Sequence, residues 1–322
     1  MFMFMGSCPC PVQAEFQTKD QTSGSTSRSP HAIGTLGRAK YVQLLVMKTD
    51  ANGNKSWERS LTGEGMARGY DIVDAGDGTF VVLGWTETDQ LTGGGVYLLG
   101  IDDHGEKMWE KILADIGLSR RITGSADVGY CLCSPTSVAK LDAEGSKIWR
   151  RTVAPGPETD LYDIVETGDG GYLVTGFVDE IEHSSGPWVF VLRVDRDGDK
   201  VWERIYDGTS WSRAGAQCAV PSGDGGFVIG GWKSDDAYVL KIDGEGNKVW
   251  ERTYGTNRSE NIKRIIRTHD GGFVLIGESG AYTQGGHDIY LLRVDGDGNK
   301  AWERNYGGEG SEFGGAVVEV SP

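Results

Sequence analysis

Asp71, Arg121, Asp163, Cys218, Arg264 and Ala316 occupy one position in six stretches of the chain when these are aligned on the turn that follows each. Tyr70, Arg120, Tyr162, Gln217, Lys263 and Gly315 precede them. Charges of both signs at a position that changes from copy to copy could orient a polar ligand, or pair with one another beside water. Two carboxylates that meet could serve as general acid and base on a glycosidic bond, and Asp71, Asp160, Asp163 and His183 are the set for that chemistry. A second group, Trp85, His183, Trp188, Trp211, Arg213, Trp232, Arg258, Tyr282 and His287, falls near the segments that join β-rich runs. Aromatic faces beside Asp and Glu suit stacking on a sugar or capture of a peptide, and they equally cap apolar layers at strand ends. The ligand-binding candidates drawn from both groups are Tyr70, Asp71, Trp85, Arg121, Tyr162, Asp163, Trp211, Arg213, Trp232 and Arg264.

Other chemistries lack their residues. No Ser-His-Asp order, His-Glu-x-x-His or nucleophile elbow occurs, so no catalytic residue is assigned. The cysteines (Cys8, Cys10, Cys131, Cys133, Cys218) are odd in number and sparse, and the histidines show no ligand spacing, which argues against a disulfide framework and a metal centre. Asp295-Gly-Asp297-Gly-Asn299 alternates carboxylates like a calcium loop, but its Gly298 stands at the fourth place where a calcium loop needs glycine at the sixth. A formal charge of -15 opposes non-specific attraction to nucleic acid or to an anionic membrane surface. No apolar run approaches the roughly 20 residues of a membrane-spanning helix.

What positions these residues is a repeat. Asp-x-x-Gly-x-Lys-x-Trp occurs six times, ending at Trp57, Trp109, Trp149, Trp202, Trp250 and Trp302, with spacings of 52, 40, 53, 48 and 52 residues. Residues 261–306 show one unit: strand A (Ile262 to Thr268), an Asp-Gly-Gly turn, strand B (Phe273 to Gly277), a longer loop, strand C (Ile289 to Asp295), a second turn and strand D (Lys300 to Tyr306). Asp at the first and Gly at the fourth place of that second turn suit a type I turn followed by a left-handed residue. Trp and the residue four places on (Leu61, Leu113, Val153, Tyr206, Tyr254 or Tyr306) share a face, with a cation between them at Arg59, Lys111, Arg151, Arg204, Arg252 or Arg304. This pattern is packing between units, and strand B, apolar on both faces, fits a sheet covered on both sides.

Periods of about 40 to 50 residues with four strands each predict an all-β, six-bladed β-propeller of four-stranded antiparallel blades. Phe313 to Val320 resembles strand A and Tyr41 to Asp50 resembles strand C. The N- and C-terminal strands are therefore expected to close the ring within one blade. Residues 41–322 form the propeller. Residues 1–40 hold a strand-like fragment at Phe2 to Ser7 and then a Ser/Thr/Gly-rich insertion or disordered segment. Gly6-Ser7-Cys8 has the flavour of a lipobox, but without a basic region or a long apolar stretch it makes no convincing signal peptide.

The sequence Asp-Gly-Gly-[Phe/Tyr], a Gly after the strand, then Tyr-x-x-x-x-Asp-x-x-Gly-x-Lys-x-Trp-Glu-Arg-x-Tyr-Gly, resembles the propeller repeats of secreted and cell-surface bacterial and archaeal proteins. Those repeats are related to pyrroloquinoline-quinone-like propellers. The resemblance covers about residues 41–320 and implies a propeller that is secreted or displayed on the cell surface. Quinoprotein dehydrogenases of the related fold have eight blades, a Thr before the turn Gly and adjacent cysteines. This chain has none of these, so no quinone or other cofactor is expected.

The short A–B and C–D turns must emerge at one end of each unit, and the variable B–C and D–A loops at the other. The resulting expectation is a monomeric, non-catalytic scaffold that recognises a protein or a glycan through its variable end. Two alternatives stand beside it: an enzyme acting on carbohydrate, as a lyase or hydrolase, and a purely structural module.

Overall fold

The computed structural model describes residues 31–38, 41–49, 55–61, 66–76, 78–87, 94–154, 159–181, 184–206, 213–256, 258–280 and 286–308. These residues form 23 strands and, among them, no helix. Blade 1 holds β1 (His31–Arg38), β2 (Tyr41–Thr49) and β3 (Lys55–Leu61); blade 2 holds β4 (Met66–Asp74), β5 (Phe80–Glu87), β6 (Gly95–Ile101) and β7 (Lys107–Leu113). Blade 3 consists of β8 (Arg121–Gly124), β9 (Tyr130–Cys133), β10 (Ser137–Leu141) and β11 (Lys147–Thr152), and blade 4 of β12 (Thr159–Glu166), β13 (Tyr172–Ile181), β14 (Ser184–Val194) and β15 (Lys200–Tyr206). Blade 5 is β16 (Ala214–Pro221), β17 (Phe227–Lys233), β18 (Asp236–Ile242) and β19 (Lys248–Tyr254); blade 6 is β20 (Ser259–Arg267), β21 (Phe273–Gly280), β22 (His287–Val294) and β23 (Lys300–Tyr306). Each blade is an antiparallel meander in chain order, which is the six-bladed all-β fold the repeat requires.

Blade 1 has three described strands. Its fourth, expected from Phe313 to Val320, and the strand-like Phe2 to Ser7 lie outside the described residues. Within the stretch expected to be an insertion or disordered, His31–Arg38 forms β1 and pairs with β2 along its whole length. The described residues divide into two compact units, one up to residue 118 and one from residue 119. The first contains blades 1 and 2, the second blades 3 to 6.

Within a blade, burial follows strand order. The second and third strands are apolar on both faces, as in β6, whose seven residues are all buried. The fourth strand is an edge and alternates between half-buried and exposed side chains, as in β7. In blades 4 to 6 the C–D turn is closed by its first residue: Asp195 Oδ1 accepts the backbone N–H groups of Asp197 and Asp199, both at 2.9 Å, and Asp243 and Asp295 do the same in their turns. The turn glycine is left-handed, with φ of 81° at Gly198 and 80° at Gly246.

The repeated Trp reaches the next blade and lies on that glycine. A Cβ on Gly105 would stand 2.7 Å from the Trp57 ring, one on Gly198 2.7 Å from Trp149, one on Gly246 3.0 Å from Trp202 and one on Gly298 3.0 Å from Trp250. The Arg two residues on covers the indole, at 5.7 Å for Arg59 and 5.6 Å for Arg151 and Arg204, a contact worth about 0.5–1 kcal/mol where exposed. Tyr206 and Tyr254 complete the dock by donating their hydroxyls to the carbonyls of Gly246 (2.6 Å) and Gly298 (2.5 Å). The motif is thus a hairpin and a latch between neighbours within each unit.

A second latch ties strand C to the A–B turn. Arg293 pairs with Asp270 at 2.6 Å, Lys241 with Asp224 at 2.7 Å and Lys140 with Asp127 at 2.5 Å, and Arg193 reaches Asp169 in the same way. The Thr167 and Thr268 hydroxyls and the partner Arg hold Asp169 and Asp270 down at about 2.

Candidate functional site

The first strands of blades 4, 5 and 6 share a β-bulge that the sequence pattern did not disclose. Pairing shifts between Leu161 and Asp163 in β12, between Ala216 and Cys218 in β16 and between Ile262 and Arg264 in β20. The same shift falls between Gly69 and Asp71 in β4 of the other unit. The extra residue is the one before the variable position: Tyr70, Tyr162, Gln217 or Lys263. A bulge bends its strand and re-aims a side chain, which is why bulges gather beside sites.

The bulge requires a glycine opposite. Gly84, Gly176, Gly231 and Gly277 face the residue before it, and a Cβ on any of them would collide with the carbonyl oxygen of Arg68, Asp160, Gly215 or Asn261. These are the glycines that follow strand B in the repeat. Their role is close backbone approach.

In blades 3 and 4 the variable residues of adjacent first strands meet, although β8 of blade 3 pairs with β9 without a bulge. Arg121 Nε lies 3.5 Å from Asp163 Oδ1 across the junction of β8 and β12. Asp163 is 5% exposed, so its charge must be answered by the protein. Oδ1 accepts the N–H of Ile164 at 3.0 Å, and Oδ2 accepts the N–H of Ala219 in the neighbouring β16 at 2.8 Å. Burial pushes the Cys218 thiol far up; the Asp163 carboxylate adds to that, while the charges of Arg264 and Arg121 oppose it. Cys218 thus feels the charges of Arg121, Asp163 and Arg264.

A second row lies one residue nearer the B–C and D–A loops. Arg120 stands over the Tyr162 ring at 5.5 Å, and Tyr162 packs against Phe177 at 5.7 Å. Burial raises the Tyr162 hydroxyl, and Asp160 beside it raises it further. In blade 6 the equivalent pair is ionic, with Lys263 Nζ 3.7 Å from Glu278. Four buried atoms along these strands make no hydrogen bond to the protein: Arg121 Nε, Thr159 Oγ1, Asp160 Oδ1 and Asn261 Oδ1. Blades built alike elsewhere thus differ here in charge, aromaticity and unmet hydrogen-bonding capacity.

Of the sequence candidates, Arg121, Tyr162 and Asp163 are brought together, and Arg264 shares with Arg121 and Asp163 an electrostatic effect on Cys218. Tyr70, Asp71 and Trp85 sit on blade 2, in the other unit. The indole faces of Trp85 and Trp232 are covered by glycines of their own blades: a Cβ on Gly94 would stand 2.6 Å from Trp85 and one on Gly215 3.1 Å from Trp232. Arg213 is exposed, and its carbonyl accepts the Ser234 N–H at 2.7 Å. Trp211, His183 and Tyr282 lie outside the described residues. Trp188 is buried, and Arg258 pairs with Asp288 at 2.6 Å. Phe177 and Asn261 joined no candidate set, although Phe177 follows the strand-B glycine as Trp85 and Trp232 do. Among the described residues, no three His, Cys, Asp or Glu side chains gather as metal ligands.

No protein-family model matches the chain, and no curated protein does. Similar folds occur among solved structures. A protein of unknown function from Bacteroides caccae is 13% identical, with 87% of this chain and 94% of that one covered and a TM-score of 0.55. Virginiamycin B lyase from Staphylococcus aureus is 11% identical, with 87% and 88% covered and a TM-score of 0.55. Hydrazine synthase from Kuenenia stuttgartiensis is 16% identical, with 75% and 68% covered and a TM-score of 0.51. At these identities the shared property is the fold, and with the six meander sheets described above it makes the chain a six-bladed β-propeller.

Proposed function

We propose that this propeller is a non-catalytic, monomeric binding scaffold that recognises a protein or a glycan through its variable-loop end. On this reading the first strands of blades 3 to 6 carry the recognition. The observation that supports it most is the pair of variable positions on the first strands: a uniform frame of turns and Trp latches gives way there to Arg120-Arg121, Tyr162-Asp163, Gln217-Cys218 and Lys263-Arg264, the last three at a bulge. Rigid scaffolds place binding where their copies diverge. The adjoining B–C loops diverge as well, from two residues between β17 and β18 to six between β21 and β22. The resemblance of the repeat to those of secreted and cell-surface proteins supports an extracytoplasmic setting.

Asp163 suits a scaffold better than a reaction, because both its oxygens accept backbone N–H groups and Arg121 stands beside it. A general base needs an oxygen open to the substrate's proton. Asp160 Oδ1 is buried and without a hydrogen-bond partner in the protein, and this is the observation that favours the second reading, a carbohydrate lyase or hydrolase.

Binding to glycan and peptide arrays, repeated with Tyr162→Ala and Arg121→Ala, tests the scaffold. A ligand that is retained unchanged by the wild type, and whose binding either substitution abolishes, supports it. Turnover of a bound glycan that Asp160→Asn eliminates would replace it with the enzyme.

A further inference from the structure

The fourth strands of the blades share one arrangement, and blade 3 departs from it. β3, β7, β15, β19 and β23 each read Lys-x-Trp-Glu, and the Lys pairs with the Glu three residues on at 2.5 to 3.2 Å. Residues three apart face opposite ways in a regular strand. Here the pairing with the third strand shifts between the Lys and the Trp in every blade, and the extra residue brings Lys and Glu to one face. In β11 Arg150 stands where the Glu should be. The same bulge therefore sets two cations, Lys147 and Arg150, on one face.

The exchange is matched on the neighbouring strand. Tyr97, Tyr238 and Tyr290 donate their hydroxyls to the Glu of their blades at 2.7 to 2.9 Å. Blade 3 has Ser137 at that place, and its hydroxyl accepts Arg150 Nε at 3.0 Å. Arg150 is exposed, and among the described residues no carboxylate pairs with it. Its two Nη groups present the parallel donors that fit a carboxylate.

β11 also ends its sheet, so one side of its backbone has no strand partner among the described residues. Its six residues hold Lys147, Arg150 and Arg151 and no carboxylate, in a chain of formal charge -15. Arg151 is drawn toward Asp199 at 3.7 Å, and Ile148 is 59% exposed beside the charges. A free edge accepts an extended chain, and charge selects which one. A second copy would bring the same cations to the seam. An anionic membrane plane would also meet the exposed Glu144 and Asp199 of the adjoining turns and be repelled by the rest of the protein. A single acidic strand is narrow enough to meet β11 alone.

We propose that the edge of β11 docks an acidic, extended segment of a partner protein. One carboxylate of that segment takes the Nη donors of Arg150 beside Lys147, filling in trans the place that Glu fills in the other fourth strands. Its backbone pairs with β11 beyond the bulge, from Trp149 to Thr152, and an apolar residue covers Ile148. This surface is separate from the variable positions of the first strands and does not depend on them.

The test is fluorescence anisotropy of a labelled peptide, Glu-Glu-Val-Val-Glu, titrated with the full chain. The same peptide with Lys for Glu, and one with N-methylated amides that keeps the charge but cannot pair as a strand, are the controls. Each control is expected to bind at least about tenfold more weakly, through lost charge pairing or lost backbone hydrogen bonds. Arg150→Glu restores the residue of the other five blades and so guards the fold; it should weaken binding at least about tenfold with the melting temperature unchanged. Arg150→Gln, which removes the charge without reversing it, should lie between. Unchanged affinity in Arg150→Glu, equal binding of the N-methylated peptide, or no binding of any peptide would overturn the proposal. Co-sedimentation with anionic vesicles, or a dimer that Arg150→Glu alters, would give the edge to a membrane or to a second copy and overturn it as well.

Discussion

Asp163 in the first strand of one blade accepts the backbone N–H of Ala219 in the first strand of the next, at 2.8 Å. The bond joins two blades through a residue that the repeat leaves free to vary. It also fixes Arg121, whose Nε is 3.5 Å from the same carboxylate. Removing the carboxylate should leave a buried amide and a poorly answered guanidinium. Asp163→Ala is expected to cost about 3 kcal/mol. Asp163→Asn should cost less, since its amide oxygen can still accept one of the backbone N–H groups. Chemical denaturation of the two variants checks the order; equal and small losses would show the bond to be dispensable.

Val128 stands where the other A–B turns have Gly170, Gly225 and Gly271. Its φ is 66°, close to the 81°, 89° and 82° of those glycines. A β-branched residue in the left-handed region is strained, and at 71% exposure this one gains little from burial. Val128→Gly is therefore expected to stabilise the chain by about 1 kcal/mol, the relief of strain exceeding the backbone entropy that glycine loses on folding. A lower denaturation midpoint in the variant would contradict this.

Gly246 carries the Trp202 latch at a φ of 80°. Gly246→Ala places a methyl 3.0 Å from the indole and strains the backbone, and should cost about 2 kcal/mol or more. Gly168→Ala is the control, since a Cβ there meets nothing within 4 Å. If both substitutions proved neutral, the Trp would not be holding adjacent blades together.

The A–B turn aspartates give the fold an acid limit. Asp169 and Asp270 are held near 2 by Thr hydroxyls and Arg partners, and Asp224 is also depressed, by Lys241 first and Ser222 second. A carboxylate whose native value lies below its unfolded value of about 3.9 contributes stability that is complete above that value. The contribution disappears as the pH falls from about 4 toward 2. Urea midpoints measured across this range should fall, and the double variant Asp169→Asn, Asp270→Asn should show a shallower fall. An identical slope would remove these pairs from the account.

The number and kind of blades were legible because the Trp and its turn recur in sequence and each unit folds largely on itself. The partner of each Trp was not, since Gly105, Gly198, Gly246 and Gly298 meet the Trp of the preceding blade, some 40 to 50 residues away. Strand β1 was obscured by composition: His31–Arg38 has two glycines and little apolar alternation, so only its pairing with β2 makes it a strand. The variable position was visible by alignment, and Arg121, Asp163 and Arg264 came from it. Its geometry was hidden because a bulge is a shift in register between strands, and the glycine that permits it reads in sequence as one more turn residue. Trp85 and Trp232 look like loop aromatics in the sequence, yet their indoles rest on Gly94 and Gly215.

Recognition by the first strands of blades 3 to 6 is tested most directly by one comparison. The affinity of an array-identified ligand should be measured for the wild type, for Tyr162→Ala and Arg121→Ala at the variable positions of the first strands, and for Arg196→Ala in a C–D turn at the uniform end. The account predicts a loss of at least about tenfold for the first two, the effect of removing one charged or aromatic contact, and no change for Arg196→Ala. Loss of binding in Arg196→Ala with retention in the other two would place recognition at the opposite end of the blades and contradict it.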